Sequence, residues 1–217
     1  MKLVMNIKTT ITLIISVFLG NTGCQTTTIS GELVSYPTGA RRVISDFRSP
    51  FGVQGGRRNQ IHQGIDINGQ DGQEILAVSD GRVLKTIVER CWGPTIAIDH
   101  GRSVVGKKII ALYGHVGKML VSAGQKVKRG EVIARLGNNH LKFDCIARVR
   151  HLHFQIGQQY KTNPSNDSFG WATFLNDGGR SLNPHLLWAD GPGKVTCFEA
   201  NKKYKPGTIT YPFPCDK

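Results

Sequence analysis

Two short stretches of the sequence carry imidazole and carboxylate groups at spacings that suit a metal site. In IHQGIDI, His62 and Asp66 stand four positions apart. In RHLHFQI, His151 and His153 alternate with apolar residues, so a strand would present both imidazoles on one face. Two histidines and one carboxylate, with water as the fourth ligand, make the open coordination shell of a catalytic zinc ion. Each stretch alone is weak, because an HxxxD spacing is common by chance and histidine pairs also occur on exposed polar strands.

The elements that must position these residues are predicted to be short strands. From about Ile44 onward, apolar runs of four to eight residues recur with turn dipeptides between them. Gly64 lies between the first two candidate ligands, where it lets the backbone curve or another segment approach closely. No long amphipathic helix is evident, and weak helical signals lie only around 170–189. The pattern predicts an all-β fold with an antiparallel sheet or sandwich core, long loops and few or no helices apart from the N-terminal signal segment.

Four motifs resemble, in this order, those of the M23 family of zinc metallopeptidases, the lysostaphin or LytM-type domain. They are IHQGIDI, AVSDGRV, YGHV and HLHF. The resemblance also includes SPFG and VSAGQKVKRGEVIARLG, and it spans roughly residues 46–157. The motifs are specific in combination, because four matches in the right order are very improbable by chance. The family implies a LytM-type β-fold and one zinc ion.

The resemblance implies a role for each matched residue. His62 and Asp66 match the first two zinc ligands, and His153 matches the third. His115, in YGHV, and His151 match two catalytic histidines that transfer protons, in a chain without an HExxH glutamate. The implied activity is hydrolysis of peptide bonds in the stem or crosslink peptides of bacterial peptidoglycan, with a zinc-bound water as the nucleophile.

Other functions stay open. Some members of the family have lost the zinc site and activate cell-wall amidases, so the alternative is a non-catalytic LytM-like module that binds cell wall or activates an amidase. A zinc peptidase that acts on proteins is a third reading. This sequence keeps all five matched residues, which favours the peptidase.

Two departures from the family pattern concern the groove. The stretch before HLH is usually short, whereas loop 138–150 is longer and basic here, and it should border the active site. Some family peptidases use a tyrosine upstream of the first ligand as an oxyanion donor, but Arg57 and Arg58 stand in that region here. The remaining histidines are predicted to lie outside the site: His100 as a structural turn residue, and His140 and His185 away from the metal. Contact with substrate stays open only for His140, because it lies in the long loop.

The N-terminus has the features of a bacterial export signal. Lys2 and Lys8 accompany an apolar run at 11–19, which is too short to span a bilayer as a mature helix. Cys24 follows small residues and resembles a lipobox cysteine, although Asn21 stands where leucine is usual. We therefore expect a periplasmic, outer-membrane-anchored lipoprotein that carries its lipid on Cys24. Export of a soluble, unlipidated protein is the alternative.

The remaining four cysteines are predicted to form disulfides. Export into an oxidising compartment permits such bonds, and the absence of a CxxC pair argues against a zinc–thiolate site. Three pairings are possible. Cys197 and Cys215 lie together in a short tail, so a local bridge is simplest, which leaves Cys91 with Cys145.

The net charge of +13 favours an anionic partner. Export removes nucleic acid from consideration and leaves peptidoglycan as substrate and a membrane reached through the lipid anchor. We expect four segments in a monomeric protein: an export signal at 1–23, a flexible tether at 24–43, a peptidase domain at 44–190, and a tail at 191–217 that carries the Cys197–Cys215 bridge.

Overall fold

A computed structural model describes most of the chain beyond the predicted signal segment. The described residues are 26–29, 32–137, 142–143, 145–163 and 168–216. The predicted export signal, Cys24 and His140 lie outside them.

Short strands make up nearly all of the regular structure. They are β1 (Thr26–Ile29), β2 (Glu32–Ser35), β3 (Val43–Ser45), β4 (Ile65–Asn68), β5 (Glu74–Leu76), β6 (Gly81–Glu89), β7 (Gly93–Arg102), β8 (Lys108–Gly114), β9 (Val116–Met119), β10 (Lys126–Val127), β11 (Val132–Leu136) and β12 (His151–Gly157). Within the described residues the helices are two 3₁₀ turns, Gly170–Thr173 and Pro184–Leu186, where the weak helical signal lay. No helix in these ranges is long and apolar enough to cross a membrane.

The strands form two main antiparallel sheets and a small hairpin. One sheet has seven strands in the order β10-β6-β7-β8-β12-β4-β3, and the other has three in the order β5-β11-β9. Ile98 of β7, Phe154 of β12 and Ile133 of β11 belong to one buried cluster, so the two sheets pack against each other. The prediction of an all-β, antiparallel core is confirmed.

Strand β12 is the element that brings the two quoted stretches together. It lies between β4 and β8, with His153 opposite Asp66 on one side and Gly114 on the other. Directly opposite residues of adjacent strands point to the same face of a sheet. The register therefore places Asp66, His151 and His153 on one face, close to the end of β8.

The segment predicted to be a flexible tether, 24–43, is not a free linker over its second half. The side chain of Val34 is buried in the main core. The backbone of Ser35 donates to the carbonyl of Gly193 at 2.8 Å and accepts from the amide of Val195 at 3.0 Å. Local composition indicated flexibility here, but a partner about 160 residues away in sequence supplies the missing backbone hydrogen bonds.

The C-terminal tail is likewise part of the folded unit. Ile209, Tyr211 and Phe213 are fully buried in the main core. The Cys197–Cys215 disulfide is present, as is the Cys91–Cys145 disulfide, with Cα separations of 5.9 and 4.9 Å.

His100 lies in a buried hydrogen-bond network within the core. Its Nδ1–H donates to the carbonyl of Asp80 at 3.0 Å, and its Nε2 accepts from the hydroxyl of Tyr113 at 3.1 Å. The Tyr113 hydroxyl in turn accepts from the amide of Val78 at 3.1 Å. Burial lowers the pKa of His100 to about 4, although the Asp80 carbonyl works in the opposite direction.

We expect this histidine to make the protein less stable in mild acid. Unfolded His100 takes up a proton near its ordinary pKa of 6.5, whereas folded His100 does so only near 4, so the free energy of unfolding falls as pH drops between these values. The two values correspond to about 3 kcal/mol at most. Urea unfolding at stepped pH should show a shallower decline for His100→Gln than for the wild type. Parallel pH profiles in the two proteins would contradict the assignment.

Candidate metal centre

The three predicted metal ligands meet at one buried point. His62 lies in the loop before β4, Asp66 on β4 and His153 on β12. The Nε2 atom of His62 is 3.1 Å from both Nδ1 of His153 and Oδ1 of Asp66, and these last two atoms are 2.8 Å apart. Tetrahedral zinc ligands lie roughly 3.4 Å from one another, so a small outward movement would accommodate the ion.

The hydrogen bonds made by the outward-facing nitrogens of His62 and His153 determine whether each inward nitrogen carries a hydrogen or a lone pair. Nδ1 of His62 lies 2.9 Å from the carbonyl oxygen of Asp46, which can only accept, so this nitrogen carries the hydrogen. Nε2 of His153 lies 3.1 Å from Oε1 of Gln155 and donates to it. Both inward nitrogens are therefore bare lone pairs. Such outer partners commonly hold metal-binding histidines in the required tautomer.

The ionisation of the Asp66 carboxyl is the third feature of the centre that suits a metal ion. Burial would raise the pKa of the Asp66 carboxyl, but the adjacent imidazoles of His62 and His153 hold it well below its usual range. Burial also lowers the pKa of His153, against the opposing effect of Asp66. With the hydrogens on their outward nitrogens, His62 and His153 direct lone pairs toward the same point as an oxygen of Asp66. Buried lone pairs at these distances repel unless a cation lies between them, so the residues fit a divalent metal.

A second pair of histidines lies beside the predicted metal ligands. The rings of His115 and His151 are 4.9 Å apart between centroids and nearly perpendicular. Nδ1–H of His115 donates to the carbonyl of Trp92 at 3.0 Å, and Nδ1–H of His151 donates to the carbonyl of Val149 at 2.7 Å. Each ring therefore has Nε2 available for proton transfer. Burial, together with the nearby rings of His151 and His153, lowers the pKa of His115 well below its ordinary value.

The backbone of His115 is held in an unusual conformation. Its φ angle is +64°, a left-handed value that non-glycine residues adopt rarely. The residue lies between the end of β8 and the start of β9, where the chain passes from one sheet to the other. Backbone strain of this kind is concentrated at functional sites, where the surrounding structure maintains it.

The three predicted ligands and the two predicted catalytic histidines line one cavity. Other residues that line it were not predicted to be metal ligands or catalytic groups. Its walls include Trp92, Trp171, Cys145, Ala147 and Arg58. The described part of loop 138–150 thus borders the cavity, as expected. The Cys91–Cys145 disulfide joins this loop to the segment that carries Trp92.

A buried carboxylate organises the loop that carries Trp92. Glu89 is fully buried, and one oxygen accepts from the backbone amides of Cys91, at 2.8 Å, and Trp92. The indole of Trp92 packs 4.4 Å from the ring of His153, while its carbonyl orients His115. The sequence contained one signal for this arrangement, a glutamate at the end of strand β6. It did not indicate which backbone amides the carboxylate would bind.

His185 lies outside the cavity lining but close behind the predicted metal ligands. Its Nδ1 accepts from the indole of Trp188, and its Nε2–H donates to Oδ1 of Asp46, both at 3.1 Å. The backbone carbonyl of that same aspartate accepts from His62. His185 therefore supports the loop that orients the first predicted ligand, a connection that sequence spacing could not reveal.

Residues 60–166 match the family model of peptidase family M23. They form a domain of that family, which confirms the resemblance drawn from the four motifs.

Similar proteins bear the names of a lipoprotein, a metalloprotease and a murein hydrolase activator. The chain is 38% identical over 102 residues to "Lipoprotein NlpD/LppB homolog" of Pseudomonas aeruginosa, covering 46% of this chain and 31% of that protein. It is 31% identical to an "Uncharacterized metalloprotease" of Haemophilus influenzae (61% and 26% covered) and 35% identical to "Murein hydrolase activator NlpD" of Escherichia coli (48% and 25%). The chain thus spans about a third or less of the length of these relatives. The catalytic domain of lysostaphin from Staphylococcus simulans, a solved structure, is similar at 24% identity, with 62% of this chain and 84% of that one covered and a TM-score of 0.41.

Proposed function

We propose that the chain is a zinc-dependent endopeptidase that hydrolyses peptide bonds in bacterial peptidoglycan. The observation that carries the proposal is the convergence of three lone pairs, from His62, Asp66 and His153, with two further imidazoles beside them. When bound, a zinc ion would activate water and polarise the scissile carbonyl.

The proton transfers are assigned to His115 and His151. The low pKa of His115 keeps its ring neutral at neutral pH, so that Nε2 is ready to accept a proton from the attacking water. The same pair can return a proton to the leaving amine. Hydrogen bonds to the carbonyls of Trp92 and Val149 hold both rings in the tautomer that this requires. Trp92 and Trp171 line the cavity beside these two histidines.

The alternative is a module that activates an amidase, because the similar Escherichia coli protein bears the name "Murein hydrolase activator NlpD". The complete set of five buried side chains favours catalysis. An activator that does not cleave peptides would have no need for three converging ligand atoms, or for two histidines that hydrogen bonds hold in one tautomer.

The proposed location is the bacterial envelope. The basic net charge of +13 suits the anionic cell wall. The lipobox-like Cys24 and the similarity to a protein named as a lipoprotein favour a lipid anchor, with the lipid on Cys24.

Digestion of isolated wall sacculi tests this function. We expect protein lacking residues 1–24 to bind about one zinc ion and to release peptide fragments, whereas His153→Ala should lose both the metal and the cleavage. A chelator should abolish cleavage, and added zinc should restore it. Zinc binding without cleavage of any wall type, together with stimulation of a purified amidase, would support the activator instead.

A further inference from the structure

Arg58 makes three contacts at the edge of the proposed metal centre. Its Nη2 donates to Oδ2 of Asp66 at 2.6 Å and to the hydroxyl of Ser45 at 3.1 Å. Its Nε donates to the carbonyl of Phe51 at 3.2 Å. The carbonyl of Phe51 and the hydroxyl of Ser45 thus hold the guanidinium in one orientation. In that orientation it donates to the carboxylate oxygen of Asp66 that does not face the histidines.

The two oxygens of Asp66 consequently have different partners. Oδ1 faces His62 at 3.1 Å and His153 at 2.8 Å, whereas Oδ2 belongs to Arg58. A carboxylate can bind a metal through one oxygen or through both. With Oδ2 engaged in a charge-assisted hydrogen bond, only Oδ1 remains for a metal ion.

We propose that Arg58 is a positioning residue that restricts Asp66 to one coordinating oxygen and, by orienting that oxygen, strengthens metal binding. The inference rests on the metal site of the proposed function, but it does not require that the site cleave peptides. Because Asp66 then occupies one coordination position instead of two, another position on the metal stays open for water or substrate. Such an open position is typical of catalytic rather than structural zinc sites.

The sign of the effect of Arg58 on metal affinity is not obvious from charge alone. A guanidinium close to a divalent cation repels it, which by itself would weaken binding. Two features reduce this repulsion: the Arg58 side chain is 27% exposed, so water screens it, and the carboxylate of Asp66, only 3% exposed, lies between the two cations. Loss of an outer partner that orients a ligand typically weakens metal binding about 10–100-fold. Orientation should therefore outweigh repulsion.

Zinc affinity of the full chain tests this inference. The metal is removed, and zinc is titrated back in competition with a chromophoric chelator. We expect Arg58→Gln to bind zinc about 10–100-fold more weakly than the wild type. Arg58→Lys should fall between the two, because lysine keeps the charge but lacks the planar fork that makes three contacts. Arg57→Gln is the matched control, since Arg57 is an exposed neighbour, and its affinity should equal that of the wild type.

A spectroscopic measurement separates this role from a general effect on folding. The visible spectrum of bound Co²⁺ weakens as the coordination number rises, so Arg58→Gln should give weaker bands if Asp66 then binds through both oxygens. Thermal unfolding of the metal-free proteins identifies any variant whose fold is lost, and Arg58→Lys then carries the comparison. Equal or tighter zinc binding by Arg58→Gln would overturn the inference. Wild-type protein that binds zinc but cleaves no wall would defeat the proposed function and leave this inference standing.

Discussion

Replacing His151 by glutamine should leave zinc binding intact and reduce wall cleavage about 10²–10⁴-fold. The side chain lies beside His115 rather than within the triad of converging ligand atoms, so its loss should not open the coordination shell. The proton that leaves the attacking water then lacks one of its two nearby acceptors. The measurement is zinc stoichiometry together with the rate of fragment release from sacculi.

The same test applies to His115, provided that the replacement residue tolerates the backbone conformation at this position. Because His115 has a φ angle of +64°, asparagine is the suitable replacement, since it tolerates the left-handed region. We expect His115→Asn to unfold at a temperature close to that of the wild type, to retain zinc and to lose cleavage. Retention of full activity by either variant would refute the assignment of these histidines, and loss of zinc from His151→Gln would make His151 a ligand.

Replacing Gly64 by alanine should destabilise the protein and displace two of the proposed metal ligands together. A Cβ at this position would lie 2.5 Å from the carbonyl oxygen of Phe154 and 3.0 Å from Cβ of Gln155. The obstacle is strand β12 itself, so the backbone must move. Overpacking of this kind typically costs about 1–3 kcal/mol. Gly64 lies between His62 and Asp66, so any shift also separates the converging ligand atoms.

Urea unfolding and zinc titration of Gly64→Ala measure the two effects separately. Gly56→Ala is the matched control, because it lies in the same loop region and a Cβ there meets nothing within 4 Å. We expect the control to keep wild-type stability and affinity. Indistinguishable behaviour of the two variants would show that close approach of β12 is not what requires glycine at position 64.

The fold class was predictable from local patterns, whereas the candidate site residues followed from the resemblance of four motifs, in order, to one family. Alternation in HLHFQ places His151, His153 and Gln155 on one strand face whatever the rest of the chain does, because side chains alternate along any strand. The short apolar runs between turn residues likewise predicted strands. The two cysteine pairs followed from their number and from the proximity of Cys197 to Cys215 in sequence.

Local composition could not predict that part of segment 24–43 is ordered, because it does not record distant partners. Residues 24–43 are polar and rich in threonine, which is typical of a linker. Val34 is nevertheless buried, and the backbone of Ser35 bonds to residues near position 194. A segment of few apolar residues can be ordered when another segment satisfies its backbone hydrogen bonds, and only the folded chain shows whether one does.

The sequence by itself predicted the chemistry of the centre: which side chains would bind a metal, which would transfer protons, and which strand face presents His151 and His153. The tertiary structure alone decided the environment that gives these groups their states. Arg58 on Asp66, Asp46 on His62 and the carbonyl of Trp92 on His115 are contacts between separate segments. Tautomer, ionisation and ligand orientation depend on distances of about 3 Å and on burial. Both arise only when β4, β8 and β12 lie side by side.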